Sequence, residues 1–160
     1  MSERKVETFI YHDLGFPIKL INAPMKRILG EWFLDINLAK LQKSVLNELA
    51  HKSTALTGEE IRFIRKYFEM TTIEFGQVFG ATHSAVLKWE KDESLMNPAT
   101  ELCMRLYILD RLQTKDKEFR KFYHKTSIGS LSKHRRIKTK RHPLEMNVDE
   151  NFFSLFHKSA

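Results

Sequence analysis

The stretch FGQVFGATHSAVLKW, Phe75 to Trp89, decides how this chain is read. Phe75, Val78 and Phe79 recur at helical spacing, Gly80 interrupts them, and Thr82 stands where a second helix would be capped. Glycine accepts the left-handed conformation without steric cost, so Gly80 predicts a tight bend between two short helices. The second helix, from His83 to about Lys91, turns Val86 and Trp89 inward. Helical spacing then points Thr82, His83, Ser84, Leu87 and Lys88 outward.

Capping signals extend the helical reading on both sides. Thr57 and Glu60 in LTGEEIRFIRKYF have the spacing of a capping box, followed by Ile61, Ile64 and Phe68 on one face. Thr71 and Glu74 repeat the device before Phe75. Asn97 and Pro98 pair as cap and first-turn residue for a further helix carrying Leu102, Leu106 and Leu109, with Cys103 expected as a buried thiol among them. Beyond Gln113 an amphipathic helix with Phe119, Phe122 and Tyr123 is expected, and those rings with the preceding helix are candidates for a dimer surface, with core packing within one chain an equally simple reading.

Residues 1–36 read differently. Gly15, Pro17, Pro24 and Gly30 punctuate short apolar runs, and Phe16, Ile18 and Leu20, like Trp32, Leu34 and Ile36, alternate as in strands with one buried face. A small antiparallel sheet is expected, covered by a helix through Leu38, Leu41, Val45 and Leu49 that Asp35 or Asn37 would cap.

The chain has 160 residues and 42% hydrophobic residues, enough for one core or two small ones. Its net charge of +7 is concentrated at the C-terminal end: residues 113–160 hold 12 Lys or Arg against 5 Asp or Glu. The run KHRRIKTKRH, Lys133 to His142, contains no acid, and the closing segment ENFFSLFHKSA gathers Phe152, Phe153 and Phe156. A basic excess of this kind suits a polyanionic partner.

Other chemistry is poorly served. One cysteine excludes an intramolecular disulfide, no CxxC or HExxH pattern is present, and the seven histidines lack ligand spacing. No glycine loop suits a phosphate. Neither an enzyme, a cofactor nor a metal is expected. No apolar run reaches the length of a membrane span and no signal peptide is read, so the expected location is the cytoplasm.

The run MTTIEFGQVFGATHSAVLKWEK supplies a small residue at Gly76, the bend at Gly80, inner anchors at Val86 and Trp89, and a closing Trp89-Glu90 pair. In these features it resembles the lambda-repressor-like (Xre) helix-turn-helix family. Across roughly residues 28–125 the chain is also similar to the MqsA/YgiT-type antitoxins, through GEWFLDINLAKLQKSVLNELA and LTGEEIRFIRKYFEM. That family's zinc-binding cysteine pairs are absent here.

The resemblance implies a lambda-repressor-like helix-turn-helix domain at 55–126; with the small α+β element read at 1–54 and the basic extension at 127–160, a mainly α fold is expected. The resemblance also implies a homodimer that sets two reading helices in successive major grooves of a palindromic operator, about 34 Å apart. Ser84 and Lys88 occupy the family's base-reading positions, with Thr82, His83 and Leu87 beside them. Thr72, Lys91, Lys133, Arg135, Arg136, Lys138, Lys140 and Arg141 are the phosphate candidates, and Arg62, Arg65 and Lys66 are expected to cluster with Lys88 and Lys91 on one face. The implied setting is an autorepressor of a toxin–antitoxin operon that also binds a cognate toxin. The alternatives are a free-standing phage or mobile-element regulator without a toxin, or a protein-interaction module docking through Phe152 to Phe156.

Overall fold

The computed structural model describes residues 3–125 and 143–149. Its chain divides into two compact units, residues 1–42 with 141–160, and residues 43–140. The described residues form six helices and four strands, a mainly α chain with a small β element.

The first unit is a mixed sheet. β1 (Arg4–Tyr11) and β3 (Glu31–Leu34) run antiparallel to the central strand β2 (Ile18–Ile28), and β4 (Leu144–Asn147) runs parallel to it. β1 lies along one edge of β2. The other edge is shared, with β4 beside Ile18 to Ile21 and β3 beside Met25 to Ile28. Ile18, Leu20, Ala23 and Met25 of β2 are buried, joined by Phe16, Met146 and Val148.

Pro24, expected to interrupt the strand, lies inside β2. Its carbonyl accepts from the Asp35 N–H at 2.8 Å, and a strand residue's N–H and C=O point to the same edge. The missing N–H of Pro24 therefore faces Asp35, one residue past β3, so the loss is a single bond at the end of the β2–β3 ladder and the pairing with β1 is untouched. The register with β1 shifts between Glu7 and Phe9, the extra residue lying on β2 near Asn22, whose φ of 57° suits the left-handed tolerance of asparagine.

The second unit holds most of the helices. α1 (Leu38–His51) carries the boundary between the units, and Asn37 Oδ1 accepts from the Lys40 N–H at its start. α2 (Gly58–Tyr67) and α3 (Thr72–Phe79) begin with complete capping boxes, Thr57 with Glu60 and Thr71 with Glu74. α4 (His83–Glu90), α5 (Pro98–Arg111) and α6 (Asp116–Lys125) follow. Ile61, Phe63, Ile64, Phe75, Val86, Met104, Ile108 and Leu109 are buried in this unit.

Arg105, fully buried on α5, ties down the connection between α1 and α2. Its guanidinium donates to the carbonyls of Ala50, Lys52 and Thr54 and lies 3.5 Å from Glu101 Oε2. Glu101 Oε1 accepts from the Leu56 N–H at 2.9 Å. A buried pair is retained where each charge is also hydrogen-bonded, and here the backbone of residues 50–56 supplies those bonds.

Several expectations are corrected. The sheet is mixed rather than antiparallel, because residues 144–147, expected within a C-terminal extension, pair with β2. Residues 1–36 read as strands and turns, but β1 is not singled out among them, since its charges fall on both faces and hide the alternation. Ile36 lies beyond β3. Cys103 is exposed, because the inward stripe of α5 is Glu101, Met104, Arg105, Ile108 and Leu109. Of the two readings of Phe122, core packing holds: the ring is buried and meets the His51 ring edge-on at 5.5 Å.

Candidate nucleic-acid interface

The site is built on α3 and α4, which three residues connect. Gly80 caps α3 at φ 69°, and the Ala81 N–H donates back to the Gly76 carbonyl at 2.8 Å. Gly76 is buried, and a Cβ there would press into the carbonyl oxygen of Ala81. The close crossing of the connection over α3 therefore requires glycine at this position.

α4 is fixed along its length. Thr82 Oγ1 accepts from the Ala85 N–H at 3.1 Å, and Val86 and Trp89 are buried on the inner face. At its far end, Arg65 of α2 grips Glu90 with two bonds, Nε to Oε1 at 2.5 Å and Nη2 to Oε2 at 3.2 Å. The side chains are only 13% and 7% exposed, which shields this pair from water. The Gly58 N–H donates to Asp92 Oδ1 at 3.0 Å, and a Cβ on Gly58 would stand 2.5 Å from the carbonyl oxygens of Trp89 and Glu90. The start of α2 thus abuts the end of α4.

The outer face of α4 presents His83, Ser84 and Lys88, all exposed, with Leu87 half-buried beside them. Ser84 and Lys88 are four residues apart and so lie one above the other on one face. Thr82 is exposed, but its hydroxyl oxygen is engaged in capping. Thr72 Oγ1 and His83 Nδ1 are 2.6 Å apart, joining the first residue of α3 to the first of α4. Sequence reasoning assigned Thr72 to phosphate and His83 to bases; the structure brings them together as one hydrogen-bonded pair. With Nδ1 engaged, the ring's other nitrogen is the one left for an outside partner.

Of the cationic candidates, Lys91 is exposed just past α4, and Arg62 and Lys66 are exposed one turn apart on α2. Arg65 is withdrawn from the expected cluster, since Glu90 occupies its guanidinium. Lys133, Arg135, Arg136, Lys138, Lys140 and Arg141 lie outside the described residues, as do Phe152, Phe153 and Phe156. The sequence pattern does not announce the Arg65–Glu90 and Thr72–His83 pairs, because no local spacing signals either. The Glu101–Arg105 pair did have a signal, opposite charges four residues apart.

Among the described residues, no group of three or more His, Cys, Asp or Glu is arranged to hold a metal ion. No described helix is long and apolar enough to cross a membrane. Comparison with protein families, curated proteins and solved structures finds no match to this chain.

Proposed function

We propose that this protein is a sequence-specific double-stranded DNA-binding regulator of the helix-turn-helix kind, with α4 as its reading helix. One observation carries the reading. α4 is short, pinned at both ends and buried along Val86 and Trp89, yet its outer face leaves the polar side chains His83, Ser84 and Lys88 exposed. A helix held this rigidly positions its outer side chains for a groove without the cost of ordering its backbone. Ser84 and Lys88 both donate hydrogen bonds to guanine, and the Leu87 side chain suits the methyl group of thymine.

A homodimer on a palindromic operator fits this reading, with phosphate contacts from Lys91 and from the basic residues 133–141. The resemblance to antitoxins across roughly residues 28–125 favours an autorepressor that also binds a toxin. Selection of bound duplexes from a random pool tests the DNA reading: recovery of one motif with two-fold symmetry supports it, and recovery of unrelated sequences sinks it. Growth assays with the neighbouring reading frame test the setting: toxicity relieved by this protein supports the antitoxin, and no toxicity favours the free-standing regulator.

A further inference from the structure

β1 forms one side of its sheet, and among the described residues no strand pairs with its outer edge. Two hydrogen bonds reveal which backbone groups face that edge. The Glu3 carbonyl accepts from the Arg27 N–H at 3.0 Å, so Glu3 faces β2. Pro24, the partner of Val6, turns its carbonyl away from β1 toward Asp35. Both facts leave the N–H and C=O groups of Arg4, Val6, Thr8 and Ile10 directed outward. The same residues carry the strand's exposed side chains, with Val6 and Ile10 at 64% and 42% exposure.

An open strand with apolar side chains is a template for another strand unless charge guards it. Arg4 stays exposed at the start of the strand, but the charges farther along it are withdrawn. Lys5 Nζ lies 4.4 Å from the centre of the Trp32 ring and 2.8 Å from Glu7, drawn back over its own sheet.

We infer that a second copy of this chain adds its own β1 to this edge, antiparallel, about a two-fold axis at Thr8. The register follows from charge and parity. Residues opposite each other across an antiparallel pair share a face, so the axis must pass through a residue rather than between two. An axis at Glu7 sets two carboxylates face to face in the closer type of pair. An axis at Val6 leaves Ile10 unpaired. The axis at Thr8 sets Val6 against Ile10 of the partner subunit twice over, Lys5 against the partner's Tyr11 and Glu7 against the partner's Phe9, with no like charges opposed. Thr8 and both Val6–Ile10 pairs exchange backbone bonds, and the apolar side chains cover one another.

The test uses the full chain with Cys103, its one cysteine, changed to serine. Thr8→Cys in that background places two thiols at a hydrogen-bonded pair, where the Cα separation of about 5.5 Å lies within disulfide range. Mild oxidation should give a disulfide-linked dimer for Thr8→Cys and none for Ser53→Cys, an exposed position of the other unit. In sedimentation velocity, Val6→Lys with Ile10→Lys should weaken dimerisation at least about tenfold while circular dichroism stays unchanged. A chain that stays monomeric at high micromolar concentration overturns the inference. So does a dimer that survives the double lysine variant, or one cross-linked equally at Ser53→Cys. DNA binding enters none of these readouts, so failure of the proposed function is distinguishable from failure of this one.

Discussion

Arg65 and Glu90, 25 residues apart in sequence, close a two-bond ion pair that ties the last turn of α2 to the last residue of α4. Every outward side chain on α4 inherits its position partly from this pair. Glu90→Ala leaves a shielded guanidinium without its partner and should lower stability by about 3 kcal/mol. Replacing both residues by methionine should restore much of that stability without restoring the alignment of α4. Denaturant titration of the two variants checks the first claim, and their affinity for DNA the second.

The two glycines around the connection answer to different constraints. Gly76→Ala forces a Cβ into the Ala81 carbonyl and must shift backbone, with an expected cost of about 1–3 kcal/mol. Gly80→Ala meets no atom within 4 Å, so only its left-handed φ of 69° is strained, at about 1–2 kcal/mol. Gly80→Asn should recover part of the second loss, because asparagine tolerates that conformation. Gly76→Asn should be worse than Gly76→Ala. Thermal melts of the four variants decide whether space or backbone conformation governs each position.

Acid titration should separate two carboxylates of opposite sign. The Thr71 backbone N–H, and secondarily its side chain, hold the Glu74 carboxyl below its ordinary value of 4.5. Glu74 therefore stabilises the fold above that value, and its contribution is lost as the pH falls through the lowered one. Burial pushes Glu48 up, against a smaller opposing effect of His51. Ionised Glu48 costs stability above its raised value, and the cost vanishes as the pH falls to the ordinary one. Glu74→Gln should flatten the acid limb of stability against pH, and Glu48→Gln should raise stability at neutral pH. The same response from both variants would contradict the assignment.

The basic run from Lys133 to Arg141 supplies phosphate contacts in the proposed function. Neutralising its six Lys and Arg residues should reduce the slope of log affinity against log salt by about 0.9 for each phosphate they neutralise, while the preferred sequence stays the same. An unchanged slope would leave the run no part in DNA binding.

The helices of the second unit were legible because their signals are local. Thr57, Thr71, Thr82 and Asn97 each cap the helix that follows, and Gly80 bends where its sequence predicts. Val86 and Trp89 face inward as their spacing requires. What escaped depends on distant partners. β4 was hidden because its pairing with Ile18 to Ile21 spans more than a hundred residues, and four residues carry too little pattern alone. Pro24 misled because a proline's fit in a strand depends on which neighbours lie beside it. On α5, counting Glu101 and Arg105 as polar moved the apparent inner face onto Leu102 and Leu106, and that put Cys103 on the wrong side. In the candidate site, exposure of Ser84 and Lys88 was readable from helical spacing. The engagement of Arg65 by Glu90 and of Thr72 by His83 was not, since each joins two helices.

The most direct measurement is a mobility-shift titration of the full chain on the DNA upstream of its own gene, with scrambled competitor at about physiological salt. The proposed reading helix predicts tight, competitor-resistant binding that Ser84→Ala with Lys88→Ala abolishes while the fold persists. Equal binding to any duplex, or binding that survives the double substitution, would contradict it.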